Sequence, residues 1–583
     1  MFYPKLAAGR QQTLTTEAFG GYDHNLELAD GEFYDMENLS ADEYPLLAPR
    51  PRRGTAQAIE GVQGILAKDA LCWVQNNTLY INGASMEAYM PSVNIKAGQK
   101  QLVSMGAYLC IFPDGIYFNT EKYSDNGYMG QENTVNAAST NIDISLCLVD
   151  GTALTVSYKQ ASQPESPSNG QYWLDTSGKL HTLKQWAEAT SQWVSVPTVY
   201  LKLSANGIGK GFQQYDGIRL SGLTGNEQVE KLNGSQILYD VGESYIVIVG
   251  LVDETTKVTS GTVKTARKVP SMDFITESGN RLWGCKYGIV DGRPVNEIYA
   301  SKLGDFRNWN CFQGISTDSY CVSLGNDGPF TGAVQHLGYP VFFREDCIHR
   351  LYGSTPATFR LQTTPCPGVQ QGCSRSLARV GQMLYYKSPT GVCAYDGAVP
   401  VMVSQKLGVM PCTRAAAGAL GDKYYICFQE EESTGQLWVY DTARGLWHRE
   451  DDTCVRCFCT CRDDLFFVYG AGQIISVMGR GQPEEEISWM LETGMLGTLT
   501  PDSKTLTRLN LRLELAQQAK VWVQYDGDDF WTPVATVYGS AGQCFNLPVA
   551  VRRCDRLRLR LEGTGFMRLS CITKTMERGS DVL

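Results

Sequence analysis

"LARVGQMLYYKSPTGVCAYDG" (377–397) carries the pattern that decides the fold. Apolar residues alternate with others on both sides of Pro389-Thr390-Gly391, and a turn former between two alternating runs is the local signal of an antiparallel hairpin. The unit recurs upstream as "GILAKDALCWVQNNTLYING" (64–83), "LVSMGAYLCIFPDGIYFNT" (102–120), "ITESGNRLWGCKYG" with "NEIYASKLGDFRNW" (275–309) and "HLGYPVFFREDCIHRLYG" (336–353). Downstream it returns in "LGDKYYICFQEEESTGQLWVYDTARGLWHRED" (420–451) and "CRDDLFFVYGAGQIISV" (461–477), about seven copies in all. From 336 onward the copies follow at about 40-residue steps, the size of a four-stranded propeller blade. Such hairpins cannot bury both faces alone, so they stack radially or pair as separate β-sandwiches.

The expected fold class is therefore all-β: a β-propeller of about six to seven blades with an inserted small β-rich domain and a C-terminal β-sandwich. The expected boundaries are an extended N-terminal arm (1–55), a first part of the propeller (56–124), an inserted Trp-rich domain (125–260), a second part (261–482) and the sandwich (483–583). A chain of 583 residues exceeds one compact core unless a repeat spreads that core along it.

The series breaks between 120 and 275, and inside that gap lies "GQYWLDTSGKLHTLKQWAEATSQWVSV" (170–196), which follows a Pro/Ser/Gln-rich lead at 159–169 and precedes the strand-like runs at 207–223 and 243–252. Trp173, Trp186 and Trp193 fit two roles there: stacking on a host glycan, or forming the core of a module too small to bury much else. Near the C-terminus, "RLNLRLEL" (508–515) and "RLRLRLEG" (556–563) alternate charge with leucine, the period of a sheet with one wet face.

A net charge of −10 argues against coating of nucleic acid, although a weakly acidic wall can still line a passage for DNA. No stretch reaches the length of about 18 apolar residues that a membrane span needs, and "MFYPKLAAGRQQ" (1–12) lacks a basic segment followed by an apolar run. The 19 cysteines are odd in number and lack a disulfide framework. The tightest group, Cys454, Cys457, Cys459 and Cys461, has no second ligand pair and places three thiols on one strand face, the pattern of buried small hydrophobes.

Five scattered histidines, and the absence of HExxH, Walker and GxSxG patterns, leave the sequence without a recognisable catalytic motif. The segment Asn206-Gly207-Ile208-Gly209-Lys210-Gly211 lacks the Ser/Thr that ends a phosphate loop and reads as a turn. Carboxylate runs occur at Asp451-Asp452, Asp463-Asp464 and Glu484-Glu485-Glu486, any two of which could form a glycosidase pair once folded.

The segment "AFGGYDHNLELADGEFYDMENLSADEYPLLAPRPRRG" (18–54) resembles the opening of tailed-bacteriophage and prophage virion proteins, in particular the tail nozzle and packaged-DNA stabilisation proteins of short-tailed phages. "YDGDDFWTPV", "RRCDRLRLRLEG" and the terminal "RGSDVL" are similar to endings of phage structural proteins from Gram-positive hosts. The resemblance implies a β-propeller tail component, assembled in the host cytoplasm and carried in the virion tail. Its implied partners are itself, as a cyclic homo-oligomer, and the portal, adaptor or other tail proteins, with double-stranded DNA passing through the lumen.

The expectation is thus a non-enzymatic, ring-forming, nozzle- or stopper-like protein at or below the portal vertex, without cofactor or metal. Pro45, Pro49 and Pro51 would keep the arm extended, and Arg50, Arg52 and Arg53 would dock on an acidic surface of a neighbour or form a solvated basic turn. The alternatives are a carbohydrate-binding tail adhesin using the inserted domain, and a glycan-cleaving propeller enzyme.

Overall fold

The structure, a computed structural model, describes residues 11–25, 28–325, 327–431, 434–470, 472–496, 503–526, 528–549 and 552–578. The opening residues 1–10 and the end of "RGSDVL" at 579–583 lie outside the described residues. The chain is all-β, with a single short α-helix, Glu227–Glu230, among the described residues. No described helix is long and apolar enough to cross a membrane.

Six antiparallel meanders of four strands span residues 62–85, 101–128, 274–323, 332–365, 378–402 and 414–449. A seventh sheet holds Val455–Cys461, Asp464–Tyr469, Gln473–Ser476 and Gln482–Pro483, and takes its remaining strand, Gly54–Gln57, from the other end of the chain. Each quoted hairpin copy falls within one of these sheets, because its turn residues supply the left-handed backbone that a tight reversal requires. Asn76 and Asn77 do so in the first, with φ of 47° and 65°.

The leading strands of the sheets lie side by side in cyclic order. Val62–Lys68 meets Gln101–Met105, which meets Phe274–Glu277, which meets Gly332–His336. The Arg379 guanidinium donates to Gln335 Oε1 at 3.3 Å between the fourth and fifth leading strands. Ala378–Val380 then adjoins Arg414–Leu420, which adjoins Val455–Cys461, and the last returns to Val62–Lys68. Apolar clusters fill the gaps between neighbouring sheets, for example Trp283, Phe342 and Phe359 between the third and fourth.

The insertion runs from 131 to 267, a few residues later than the expected 125–260, because its first and last strands pair with each other from Gln131 opposite Arg267 to Asn136 opposite Thr262. These strands, with Gly217–Ser221 and Gly234–Ile237, face a five-stranded sheet across a core that includes Val135, Ile144, Leu203, Ile218, Ile246 and Val263. Between Cys147 and Tyr200 the second sheet gives rise to a third, smaller one at 156–195, which holds the tryptophans.

The C-terminal sheet is organised by one 22-residue strand, Lys504–Tyr525. Its first half pairs with Met567–Arg578 and its second with Leu557–Thr564, while Thr532–Leu547 follows its other edge. Leu509, Leu511, Leu513, Leu557, Leu559 and Leu561 are all buried, as the period-2 alternation requires. The sheet is not made from 483–583 alone. Gln11–Thr16 pairs with Met567–Arg578, and Glu32–Glu37 pairs with Ser488–Thr493.

The expected projecting arm is therefore corrected: the described part of 1–55 lies on its own chain. Phe19, Phe33, Met36, Leu39 and Leu47 are buried in one core with Trp438, Trp447, Trp489 and the C-terminal leucines. Burying five large apolar side chains outweighs leaving them on an exposed arm, each contributing about 1.5–3 kcal/mol.

Candidate functional site

Three parts of the chain meet at a junction built around Arg50 and Arg53. The N-terminal strap brings the arginines, the end of the sixth sheet brings Glu450 and Asp451, and the connector to the C-terminal sheet brings Glu484. Arg50 donates to Asn38 Oδ1 at 2.7 Å and to Asp451 Oδ2 at 3.3 Å, and pairs with Glu484. Arg53 donates to Asp451 Oδ2 at 2.8 Å and Thr453 Oγ1 at 3.0 Å, contacts Glu450, and lies over the Phe467 ring.

Burial pushes the Asp451 carboxyl up, but Arg53 and Arg50 and the Thr453 hydroxyl pull it further the other way, leaving it below its usual value. Arg50 and Arg53 are buried with their charges matched inside the chain, so they do not face a neighbouring subunit. Arg52 is exposed and donates to the Glu484 carbonyl at 2.9 Å. Proximity in sequence groups the three arginines, while the loop between the strands Ala48–Pro49 and Gly54–Gln57 turns the middle one outward.

A cavity of about 670 Å³ opens beside this junction, between the strap and the sixth and seventh sheets. Lys423 pairs with Asp42, and Arg444 pairs with Asp441 at 2.6 Å. Burial, with Lys423 nearby, lowers the His448 imidazole to about 4, so it is neutral at neutral pH. Opposite charges matched around a neutral imidazole form a seam that holds elements together rather than an acid–base pair.

Of the other carboxylates singled out in the sequence, Asp452, Asp463, Asp464 and Glu486 also have partners. Asp464 is fully buried, accepting from Ser476 Oγ at 2.6 Å and from the Met478 amide at 3.1 Å. Asp452 accepts from Arg449 at 2.6 Å, and Asp463 pairs with Arg480. Cys457, Cys459 and Cys461 lie along the leading strand of the seventh sheet and Cys454 just before it, and burial pushes Cys457 and Cys459 up. Among the described residues no group of His, Cys, Asp and Glu is arranged to hold a metal.

The tryptophans are brought together. Trp186 and Trp193 are directly opposed across two strands with ring centroids 5.5 Å apart, and Trp173 lies 5.5 Å from Trp193. Trp173 is buried and donates Nε1–H to the Gln160 carbonyl at 2.9 Å, whereas Trp186 and Trp193 are half-buried. All of these contacts are edge-to-face, one of the arrangements that packed aromatic rings favour.

The insertion is fixed to the third sheet by a buried network that the sequence did not suggest. Arg267 pairs with Asp216 and donates to the Met129 carbonyl at 3.0 Å, while Asn308 donates to Asp216 Oδ1 at 2.9 Å and accepts from the Gly217 amide at 2.9 Å. No local pattern marks these residues: Arg267 ends the mixed strand "TVKTAR", and Asp216 and Asn308 lie outside the strands.

The leading strands surround a cavity of about 750 Å³. Arg375, from the loop before the fifth sheet, reaches across it, donating to Gln99 Oε1 before the second sheet at 2.9 Å and to the Arg456 carbonyl in the seventh at 3.1 Å. A side chain thus bridges the space inside this single chain.

No family model and no curated protein matches the chain. Solved structures overlap it in part. An exo-β-1,3-galactanase from Phanerochaete chrysosporium, with β-1,3-galactotriose, is 9% identical over 52% of this chain and 94% of that one, with a TM-score of 0.21. PorZ, a surface component of the type-IX secretion system of Porphyromonas gingivalis, is 10% identical over 89% of this chain and 77% of its own, at 0.22. The extracellular domain of a hybrid two component system from B. thetaiotaomicron is 9% identical over 90% and 95%, at 0.15. Overlaps this shallow carry no argument about what the chain does.

Proposed function

We propose that the seven sheets are the blades of a β-propeller, and that the protein is a non-enzymatic structural component of a phage tail, acting as a closed ring of copies at or below the portal vertex. The observation that carries the reading is the double closure of the chain. Gly54–Gln57 completes the seventh sheet, and Gln11–Thr16 and Glu32–Glu37 complete the C-terminal sheet, so both ends are built into the same body. Rigidity of that kind suits a part that holds a pressurised genome rather than one that opens around a substrate. The resemblance of 18–54 to tail-protein openings supports it further, since in this fold that segment is the strap that performs the closure.

The passage for DNA in this reading is the lumen of the assembled ring. The cavity inside one chain is bridged by Arg375 and takes no part in it. Symmetry makes the test direct, because a ring needs a closed point group. Native mass spectrometry and negative-stain imaging of the intact chain are expected to give one cyclic oligomer; a monomer at all concentrations, or open filaments, would refute the ring.

A further inference from the structure

Beside the axial cavity, and sharing Gln99, Ser374 and Arg375 with it, is a second pocket of about 420 Å³. Three arginines line it, Arg375, Arg414 and Arg456, contributed by the segments that lead the fifth, sixth and seventh sheets. Ala415, Ala416 and Gly372 supply the floor, and these small side chains leave the space open. None of the described residues lining the pocket is acidic, in a chain whose net charge is −10.

Arg375 is half-buried, and the groups that accept from it, the Gln99 amide oxygen and the Arg456 carbonyl, are neutral. Those bonds orient the guanidinium without cancelling its charge. Arg456 lies on the exposed face of its strand beside it, and Gln429 is fixed behind through a bond from Nε2 to the Val455 carbonyl. Like charges converging on one hollow repel, and an anion seated among them relieves the repulsion while receiving paired N–H donors.

We propose that this pocket binds a phosphate-bearing ligand, with Arg375 and Arg456 as the donors. A guanidinium presents two parallel N–H groups that match phosphate oxygens, and two of them at one hollow suit an anion with several charged oxygens. The pocket has the volume of a small-molecule site, within about 300–1,000 Å³. A free polyphosphate and a stretch of nucleic-acid backbone offer the same chemistry. This inference stands independently of the tail assignment.

Calorimetric titration of the intact chain at low salt, with inorganic triphosphate and separately with a short single-stranded oligodeoxynucleotide, tests it. Triphosphate is expected to bind, to weaken as salt is raised, and to lose at least about tenfold in affinity in Arg375→Gln and in Arg456→Gln, as the loss of a charge-assisted contact implies. Oligonucleotide binding with the same dependence on both variants would assign the site to nucleic-acid backbone; binding of triphosphate alone would assign it to free polyphosphate. Should Arg375→Gln fail to fold, the exposed Arg456→Gln decides alone, its melting temperature serving as the control. No heat of binding with triphosphate, or binding that Arg456→Gln leaves unchanged, overturns the proposal.

Discussion

Arg53 is where the strap, the sixth sheet and the Phe467 ring of the seventh sheet converge, and its guanidinium is surrounded by Glu450, Asp451 and Thr453. Removing one side of a buried ion pair leaves the other without compensation, which costs about 3–5 kcal/mol. Arg53→Ala is therefore expected to lower the unfolding free energy from denaturant titration by that amount, while Arg52→Ala stays within about 0.5 kcal/mol, as exposed substitutions do. Equal effects of the two would show that the junction does not hold the chain together.

Acid should act on two buried imidazoles. Burial, with Arg344 nearby, lowers His349 to about 4, and burial with Lys423 does the same at His448. The unfolded chain takes up a proton near the ordinary value of 6.5, and the folded chain does not until about 4, so each imidazole removes stability as pH falls between those values and contributes nothing above them. The loss approaches about 3 kcal/mol per group. Melting temperature followed from pH 7 to 4.5 should fall, and His448→Gln should flatten the slope; a variant with the wild-type slope would exclude His448 as a source.

Among the elements, the strand Gly54–Gln57 is the one that joins chain ends distant in sequence. It pairs on one side with Gln473–Ser476 and on the other with Gln482–Pro483. A Cβ on Gly54 would stand 2.5 Å from the Arg480 carbonyl oxygen and 2.7 Å from the Gly479 carbonyl carbon, both backbone atoms. Gly54→Val is expected to cost about 1–3 kcal/mol, the range for overpacking, and to raise amide exchange across 473–483 before any other sheet. Unchanged protection there would mean that the seventh sheet closes without its N-terminal strand.

The hairpins were legible because their turns and alternation are local; the closure was not, because nothing near residue 54 encodes a partner more than four hundred residues away. The strand Glu32–Glu37 was hidden for a second reason. Its register shifts between Phe33 and Asp35, so the buried Phe33, Met36 and Leu39 fall three apart and match no strand period. Composition shows a charge without showing its counter-charge, so the sequence reads Arg50 and Arg53 as facing a neighbour where Glu450, Asp451 and Glu484 of the same chain surround them. Trp173, Trp186 and Trp193 were rightly grouped, because cross-strand neighbours around a short turn are also sequence neighbours.

At the scale of the whole molecule, the insertion is joined to the ring of sheets through Arg267, Asp216 and Asn308, and the C-terminal sheet through the strap. Each attachment combines buried polar groups or apolar residues from elements far apart in sequence. The body is thus braced across its length, and a distortion at one end has few soft joints in which to dissipate.

The meeting of Gln11 with Glu577 has a consequence for covalent order. Two adjacent antiparallel strands can be joined by a short linker without displacing either, and new ends can then be opened at the exposed hairpin tip Asp291-Gly292. Such a circular permutant should fold to the same circular dichroism and melt within a few degrees of the parent, so the order in which the ribosome delivers the strands is incidental to the architecture they reach.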